Sequence, residues 1–495
     1  MNPAGDAATA EAWQPRSWQR SVAWNLAGAL LPLVAGLLAI PALVERLGVE
    51  RFGLLNIAWL LVGYFSLFDL GLGRALTRLV AARLEGAGRD EIPSLVITAM
   101  RMMAWLGMLA AIVTALVGLF FLNDWLKVPP ALQGEMTQAM LLLAASLPLV
   151  VLAAGWRGVL EACHRFDWVN WVRIPLGVAL FVAPLLALQF ADGLVPVVAA
   201  LALTRLAGWL AHRWQCARLL PELAAGRVER RWLSPLFSFG GWLTVSNLVG
   251  PLMVYADRFL IGGLVSLAAV AYYSTPYEIV TRLWIISAAA TGVLFPRLAG
   301  QLASDRLAAA RSYLSAQKML TAVMLPAVAL LILFAPEGLR FWLGADFARE
   351  GGFAARVLAV GVFFNVLGQV ALTVVHAAGK ADWSAKLHLV ELPLYCATLY
   401  WLGKTYGIDG VAVAWLLRIL LDTLIMLAFA ETLLNRPRVA AARKLIAASA
   451  AIAVPVAGCL LADWQGRAMV AVALVLAVLP VLLVMARQWR RPVQG

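Results

Sequence analysis

The residues that could do chemistry in this sequence are ionisable side chains set inside or beside long apolar stretches. Arg101, Arg282 and Arg418 lie within such stretches, and Arg74 and Arg78 follow one directly. Burying a charge at membrane depth costs about 2.5–3.5 kcal/mol on the insertion scale, so such a group normally faces a partner or a water-filled cavity. Arg74 and Arg78 are four residues apart and share a helix face without neutralising each other, which predicts an anionic partner. The alternative, that they mark the cytoplasmic end of a helix, stays open.

Two of these arginines have a carboxylate at helical spacing. Glu278 precedes Arg282 by four residues, and Asp422 follows Arg418 by four. Residues four apart are neighbours on a helix surface, so each pair could neutralise itself as an ion pair or present its charges to a cavity. Arg101 has no acidic neighbour at this spacing, which favours a cavity role for it.

Further acidic groups lie in two other apolar stretches. Asp257 stands next to Arg258 near the predicted outer end of one span, where Arg258 is expected to extend its guanidinium to the interface. Glu391 and His388 lie in the inner half of another span. Buried carboxylates are candidates for coupling to an ion gradient, and those in this sequence are Glu278, Asp422, Glu391 and Asp257.

Catalysis is not indicated. The sequence has no G-x-S-x-G, H-E-x-x-H or Walker A motif, and its four histidines do not cluster. The four cysteines are scattered without C-x-x-C or Cys/His spacing. We therefore predict no enzyme activity, no catalytic residue, no metal site and no cofactor. Without a phosphate-binding loop, any transport must draw on an ion gradient or on the downhill use of the substrate.

Composition indicates a membrane protein. Of 495 residues, 63% are hydrophobic and 14% are charged, whereas soluble proteins are roughly one quarter charged. The net charge of +13 could suggest a nucleic-acid partner. The basic residues instead occur in short clusters between apolar runs, which is typical of a protein surrounded by membrane lipids.

Apolar runs of about twenty residues match the roughly 30 Å hydrocarbon layer of a bilayer. The sequence predicts an all-α polytopic fold with about fourteen spans. They are Arg20–Val44, Phe52–Gly73, Ile92–Leu122, Met136–Leu160, Val169–Phe190, Leu194–Trp214, Phe237–Ile261, Val270–Gly292, Ala316–Phe334, Phe353–Ala378, Leu387–Leu402, Val411–Leu433, Lys444–Leu461 and Ala468–Ala486.

Lysine and arginine in the loops predict the orientation. A roughly threefold excess on one side places the N- and C-termini in the cytoplasm. Arg205 is counted with the inner set. The longest inner loop is predicted at residues 215–235 and the longest outer loop at residues 335–352, both too short for a catalytic domain.

A short internal sequence repeat predicts two six-helix lobes. Asn25/Gly28 and Asn247/Gly250 share an N-x-x-G spacing at the start of the two halves. An even number of spans between copies makes the repeats parallel, related by a pseudo-two-fold axis along the membrane normal. The predicted regions are a cytoplasmic segment 1–19, an N-lobe 20–214, a cytoplasmic linker 215–236, a C-lobe 237–433, two further spans in 434–487 and a cytoplasmic tail 488–495.

Two runs resemble a known family. RLGVERFGLL…FDLGLGRALTRLVA, from Arg46, is similar to the N-terminal signature of the polysaccharide transporter, or oligosaccharide flippase, family of the multidrug/oligosaccharidyl-lipid/polysaccharide exporter superfamily. VYADRFLIGGLVSLAAVAYYSTPYEIVTRL…FPRLAG is similar to the matching signature of the second half, and the resemblance covers most of residues 15–435.

The resemblance implies a V-shaped carrier of the bacterial inner membrane that alternates between inward and outward openings. Its substrate would be a polyprenyl-diphosphate-linked oligosaccharide for O-antigen or exopolysaccharide, held in a cationic central cavity. A polysaccharide polymerase and glycosyltransferases would be further partners. The cavity candidates in this sequence are Arg74, Arg78, Arg101, Arg282 and Arg418.

Three other functions stay open. A cation-coupled multidrug exporter of the same superfamily would favour a carboxylate-lined pocket, but the first span has no carboxylate between Arg20 and Val44. A membrane polysaccharide polymerase or ligase would need a sizeable outer loop, and the predicted outer loops are short. The third is a non-transporting assembly partner of such enzymes.

Overall fold

The computed structural model describes residues 18–65, 72–84, 88–120, 122–236, 253, 255–461 and 463–489. Within these ranges all regular secondary structure is helical, which confirms the all-α prediction for the part of the chain described. Much of the predicted seventh span, with Asn247 and Gly250 of the second repeat copy, lies outside the described residues. Asp69 and Gly71 also lie outside them.

Packing divides the chain into two compact units, Met1–Tyr255 and Ala256–Gly495. In the first unit the long helices are α1 (Trp18–Phe65), α2 (Leu72–Leu84), α3 (Ile92–Phe120), α4 (Pro130–Ala162), α5 (Phe166–Ala187) and α6 (Leu194–Leu219). Short helical turns at Leu122–Trp125, Pro221–Ala225 and Arg230–Trp232 join or follow them.

In the second unit a helical segment, α7, covers residues 255–264. The helices that follow are α8 (Leu267–Thr281), α9 (Trp284–Ser304), α10 (Arg306–Leu343), α11 (Ala345–Ala377), α12 (Ala381–Leu433), α13 (Val439–Leu461) and α14 (Trp464–Trp489). A break at Arg282 and Leu283 separates α8 from α9, which the sequence predicts as one span.

Two helices each contain two predicted spans, joined at a glycine. α1 bends at Gly48, with φ 74° and ψ 160°, and α12 bends at Gly407, with φ 60° and ψ −139°. Both conformations lie in regions that side chains with a Cβ avoid, so glycine allows the chain to turn there without a loop. The two arms of α12 are residues 381–406 and 408–433.

Ten helical stretches of the described residues are long and apolar enough to cross a membrane. This is fewer than the fourteen spans predicted, because α1 and α12 each hold two of them. In addition, the seventh span is largely undescribed, and the part of α14 whose side chains are described is short, Trp464–Pro480.

The prediction of an outer loop at residues 335–352 is wrong. α10 continues to Leu343 and α11 begins at Ala345, so a single residue, Gly344, joins them. The prediction ended each span where charged residues begin. Helical hydrogen bonding does not end there, because water-exposed turns carry charges readily, and the 38 residues of α10 exceed bilayer thickness.

Candidate functional site

The arginines at the start of α2 are positioned by the opposite face of that helix. Leu72, Ala75, Leu76 and Val80 are fully buried in a core shared with α3 and α4. Arg74 and Arg78 project from the exposed face. The hydrophobic stripe therefore fixes the direction in which the two guanidinium groups point.

Close packing at Gly158 of α4 holds α2 in place. The Thr77 hydroxyl lies 2.9 Å from the carbonyl oxygen of Gly73 and 3.0 Å from that of Gly158 and can donate to either. A Cβ on residue 158 would lie 2.7 Å from the Thr77 Oγ1 and 3.0 Å from the Gly73 oxygen. Only glycine lets the two backbones approach this closely.

Arg101 is exposed on α3, on the same face as Trp105, which is 70% exposed. Among the described residues neither Arg74 nor Arg101 has an ion-pair partner. Arg78, in contrast, interacts with another residue. Within the described residues, Arg74 and Arg101 are thus accessible arginines without a carboxylate partner, and the cavity role of Arg101 stays a prediction.

Arg205 does not belong to the inner loops to which the sequence count assigned it. It is the twelfth residue of α6, in the middle of the predicted sixth span. Its Nη1 donates to the Ser146 hydroxyl of α4 at 2.5 Å, and its Nη2 is buried without a hydrogen-bond acceptor in the described part of the chain. The sequence does carry a signal for this, because Arg205 falls in the middle of a predicted span and not in a loop.

In the second unit, Asp257 is fully buried at the start of α7. Its carboxylate accepts hydrogen bonds from the Tyr273 hydroxyl at 2.8 Å and from the backbone N–H of Arg258 at 2.7 Å. The sequence offers no signal for the Tyr273 contact, because it depends on how α7 packs against α8.

Arg258 does not extend to the interface as expected, since only 3% of the residue is exposed. Its guanidinium lies 3.3 Å from Glu278 and 4.1 Å from the centre of the Tyr277 ring. Glu278 also lies 3.7 Å from Arg282, so the pair predicted at this spacing is present. Glu278 therefore sits between two arginines, and Arg282 is partly neutralised.

The kink in α12 brings four charged or titratable side chains together. Arg418 Nε lies 4.0 Å from Glu391 Oε2, and His388 Nε2 lies 3.4 Å from Asp422 Oδ1. No ion pair joins Arg418 and Asp422 among the described residues, so the first of the two alternatives, an ion pair between them, does not hold. Arg418 instead approaches a carboxylate 27 residues earlier in sequence, on the other arm of α12.

This cluster could hold a cation. One ligand atom each from His388, Glu391 and Asp422 lies within 4.8 Å of the others. Glu391 is 3% exposed, and neither of its carboxylate oxygens accepts a hydrogen bond from the described residues. Asp422 Oδ1 is likewise buried without a donor there. Carboxylate oxygens in this state favour a proton or a metal ion. The absence of a metal site stays a prediction.

Cys163, in the turn between α4 and α5, is not an activated nucleophile. Burial raises the pKa of its thiol to about 11, despite the opposing charges of Arg89 and Arg165. The thiolate is the reactive form, so at neutral pH this cysteine is inert.

The chain resembles known proteins in both sequence and fold. The sequence profile of the family described as polysaccharide biosynthesis protein matches residues 19–301, more than half of the chain. The protein belongs to this family. The matched residues include Arg74, Arg78, Arg101, Glu278 and Arg282, whereas the cluster on α12 lies beyond them.

A bacterial relative agrees with the assignment to this family. A protein of Shigella flexneri described as a putative O-antigen transporter is 29% identical over 403 residues, which are 81% of this chain and 95% of the relative. Among solved structures, the lipid II flippase MurJ in an inward closed conformation superposes with a TM-score of 0.70 at 12% identity, over 95% of this chain and 100% of that one.

An inward-facing multidrug resistance MATE transporter of the MOP superfamily superposes with a TM-score of 0.69 at 16% identity, over 85% of this chain and 99% of that one. At these identities the likeness concerns the fold alone. The family member described here is thus a multi-pass membrane protein with the fold of MOP-superfamily transporters.

Proposed function

We propose that this protein moves a polyprenyl-diphosphate-linked oligosaccharide from the inner to the outer leaflet of the cytoplasmic membrane, for O-antigen or exopolysaccharide biosynthesis. The protein would work by alternating access, with both termini in the cytoplasm. Family membership together with the O-antigen transporter relative supports the class of substrate.

The single observation that carries the proposal is the set of accessible arginines in the first unit. Arg74 and Arg101 are exposed without an ion-pair partner among the described residues, and Arg78 shares the exposed face of α2. A diphosphate carries negative oxygens that arginine forks bind through charge-assisted hydrogen bonds. A cation left unpaired on a membrane helix is expected to meet such a ligand.

The arginines of the second unit are weaker candidates for binding the diphosphate. Arg282 shares Glu278 with Arg258, and Arg418 lies beside Glu391. A carboxylate nearby lowers the attraction of a guanidinium for a second anion. We therefore assign the diphosphate first to Arg74, Arg78 and Arg101, and keep Arg282 and Arg418 as secondary candidates.

The carboxylates of the second unit are proposed to couple transport to an ion gradient. Glu391 and Asp422 meet at His388, while Glu278 and Asp257 line the neighbouring network of Arg258. Of these, Glu391 is buried without a hydrogen-bond donor among the described residues, so a proton or cation bound there would offset the cost of burying its charge, and that charge could change during the cycle.

The test is transport itself. The purified protein is reconstituted in liposomes with a lipid-linked oligosaccharide, and the outer-leaflet fraction is followed with a glycan-specific lectin. Arg74→Gln and Arg101→Gln each remove a charge-assisted bond of about 1.5–3 kcal/mol, so flux should fall at least about tenfold. In a host lacking its own copy, surface polysaccharide should be lost in parallel.

Arg227→Gln is the matched control, since Arg227 is an exposed arginine in a loop of the same unit. It should transport at the wild-type rate. Normal flux in an Arg74→Gln/Arg101→Gln double variant that inserts at normal levels would refute the anion site.

A second candidate function is cation-coupled export of an organic cation. The observation that favours it is the buried pair Glu391 and Asp422, because drug exporters of this superfamily are expected to use carboxylate-lined pockets. Efflux of a cationic dye from cells expressing the protein, abolished by Glu391→Gln while surface polysaccharide is unaffected, would select this function instead.

A further inference from the structure

A cavity of about 640 Å³ lies between α9 and α10 of the second unit. We name it the α9–α10 slot. α9 ends at Ser304 and α10 begins at Arg306, so one end of the slot lies close to the turn between the helices. The volume falls within the range of about 300–1,000 Å³ typical of ligand pockets.

The end near the turn is cationic. Arg297 of α9 and Arg311 of α10 both line it. Arg297 is exposed and has no ion-pair or hydrogen-bond partner among the described residues. Arg311 lies 3.8 Å from Asp305, and because this pair is 70% and 52% exposed, water and salt weaken it. The two guanidinium groups therefore have one weak carboxylate contact in all, that of Arg311 with Asp305.

Polar groups beside these arginines lack partners. Gln301 lines the slot, and its Oε1 atom is buried and accepts no hydrogen bond from the described residues. The hydroxyls of Ser312 and Ser315 line the same side. A ligand that offers both negative oxygens and a hydroxyl or ammonium donor would satisfy these groups.

The other end of the slot is apolar. Ala289, Ala290 and Val293 of α9 lie one to three turns from Arg297 and Gln301, opposite Ala316 and Met319 of α10. Alanine side chains leave room along the helix axes for a hydrocarbon chain. The slot is therefore amphipathic along its length, cationic near the turn and apolar away from it.

We infer that the α9–α10 slot binds a membrane lipid with a negatively charged phosphate headgroup. Arg297 and Arg311 hold the phosphate oxygens, and the first part of the lipid chain lies along the alanine-lined end. Basic pockets between membrane helices bind anionic headgroups in this way. A soluble anion would leave the apolar end empty, which argues for a lipid. The inference rests on the slot alone and does not require the proposed transport function.

Native mass spectrometry of the full-length protein in detergent tests this site. The probes are phosphatidylglycerol, undecaprenyl phosphate, zwitterionic phosphatidylcholine and inorganic phosphate. At least one of the two anionic lipids should be retained, with a dissociation constant at least about tenfold below that of phosphatidylcholine, because the choline cation offsets the phosphate charge that the two arginines attract. The anionic lipid that binds identifies the source, a bulk phospholipid or a polyprenyl carrier.

Matched double variants separate the slot from general surface charge. Arg297→Gln/Arg311→Gln should weaken anionic lipid binding at least about tenfold, since it removes both phosphate contacts. Arg306→Gln/Lys318→Gln removes the same amount of charge, in this case entirely from α10, but neither residue lines the slot. It should bind the lipid like the wild type.

A third variant tests the apolar end. Ala290→Trp fills this end and leaves every charge in place, so it should also weaken retention of the lipid. Equal losses in the two charge variants would overturn the site in favour of nonspecific attraction, and unchanged binding in Arg297→Gln/Arg311→Gln would overturn it directly. Preference for inorganic phosphate over both anionic lipids would also overturn it. Lipid binding is measured separately from flux, so failure here is distinguishable from failure of the proposed function.

Discussion

At the scale of single residues, the sequence predicts which side chains are unusual but not which partners they find. Glu278 and Arg282 pair as their spacing indicates, and Arg101 has no ion-pair partner among the described residues. Arg418 does not pair as its spacing indicates, because its partner Glu391 is reached only through the fold-back of α12 at Gly407. Local spacing describes one straight helix, and a contact between two arms of a kinked helix has no signature in it.

The pair of Glu391 and Arg418 gives a prediction about stability. Their side chains are 2% and 13% exposed. Arg418→Gln leaves Glu391 and Asp422 as neighbouring buried carboxylates, and the free energy of unfolding should fall by about 3 kcal/mol. The double variant Glu391→Gln/Arg418→Gln should lose less than the sum of the two single variants, because neither charge is then stranded. Unfolding in detergent micelles measures this.

A surface pair on the same helix is the control. Lys386 and Asp382 of α12 lie 2.8 Å apart and are 75% and 53% exposed. Neutralising both should change the free energy of unfolding by less than about 1 kcal/mol. A loss of the same size in both experiments would contradict the buried role of Glu391 and Arg418.

At the scale of elements, the sequence predicts that helices exist better than where they end. Apolar runs locate nearly every described helix, because burial in lipid requires a length of about twenty residues. The ends are set by other features, such as Gly48 and Gly407, where helices bend without stopping. The packing of α2 against α4 at Gly158 was not predictable, since it depends on tertiary contact.

Gly158 gives a prediction at this scale. In Gly158→Ala the new Cβ would collide with the Thr77 hydroxyl and the Gly73 carbonyl oxygen of α2. We expect the free energy of unfolding to fall by about 1–3 kcal/mol, and α2 to shift with its arginines. Thermal unfolding in detergent and the flux assay should therefore both report a loss.

Gly134 lies on the same helix α4 and serves as the control, because a Cβ added there would meet nothing within 4 Å among the described residues. Gly134→Ala should raise stability by about 0.5–1 kcal/mol through helix propensity alone. Opposite signs for the two glycines are expected. Equal gains would show that the approach of α2 to α4 is not as close as described.

At the scale of the whole molecule, composition and charge bias predict a multi-pass protein of one fold class. The all-α fold and the membership in a polysaccharide biosynthesis family agree with this. Orientation in the membrane depends on the lysine and arginine distribution alone and stays a prediction. Arg205 lies in a span and not in an inner loop, which lowers the inner count of lysine and arginine by one. The excess on the inner side therefore stays large.

Thiol labelling tests the orientation. In a background with the four native cysteines replaced by serine, Asp192→Cys and Ala224→Cys place single exposed cysteines in turns predicted to lie outside and inside. A membrane-impermeant maleimide added to intact spheroplasts should label Asp192→Cys and spare Ala224→Cys, because the lipid bilayer blocks its entry. Lysis should make both reactive, and the reverse pattern would invert the predicted topology.

The one-residue joint between α10 and α11 has a practical consequence for handling the protein. Proteases bind an extended stretch of several residues, and the exposed Gly344, a single residue between two long helices, does not offer one. An epitope tag or fusion partner inserted there would have to unwind a helix. The turn at residues 188–193 already leaves helical geometry and is the better place to insert a tag. Limited digestion should leave α10 and α11 joined in one uncut fragment.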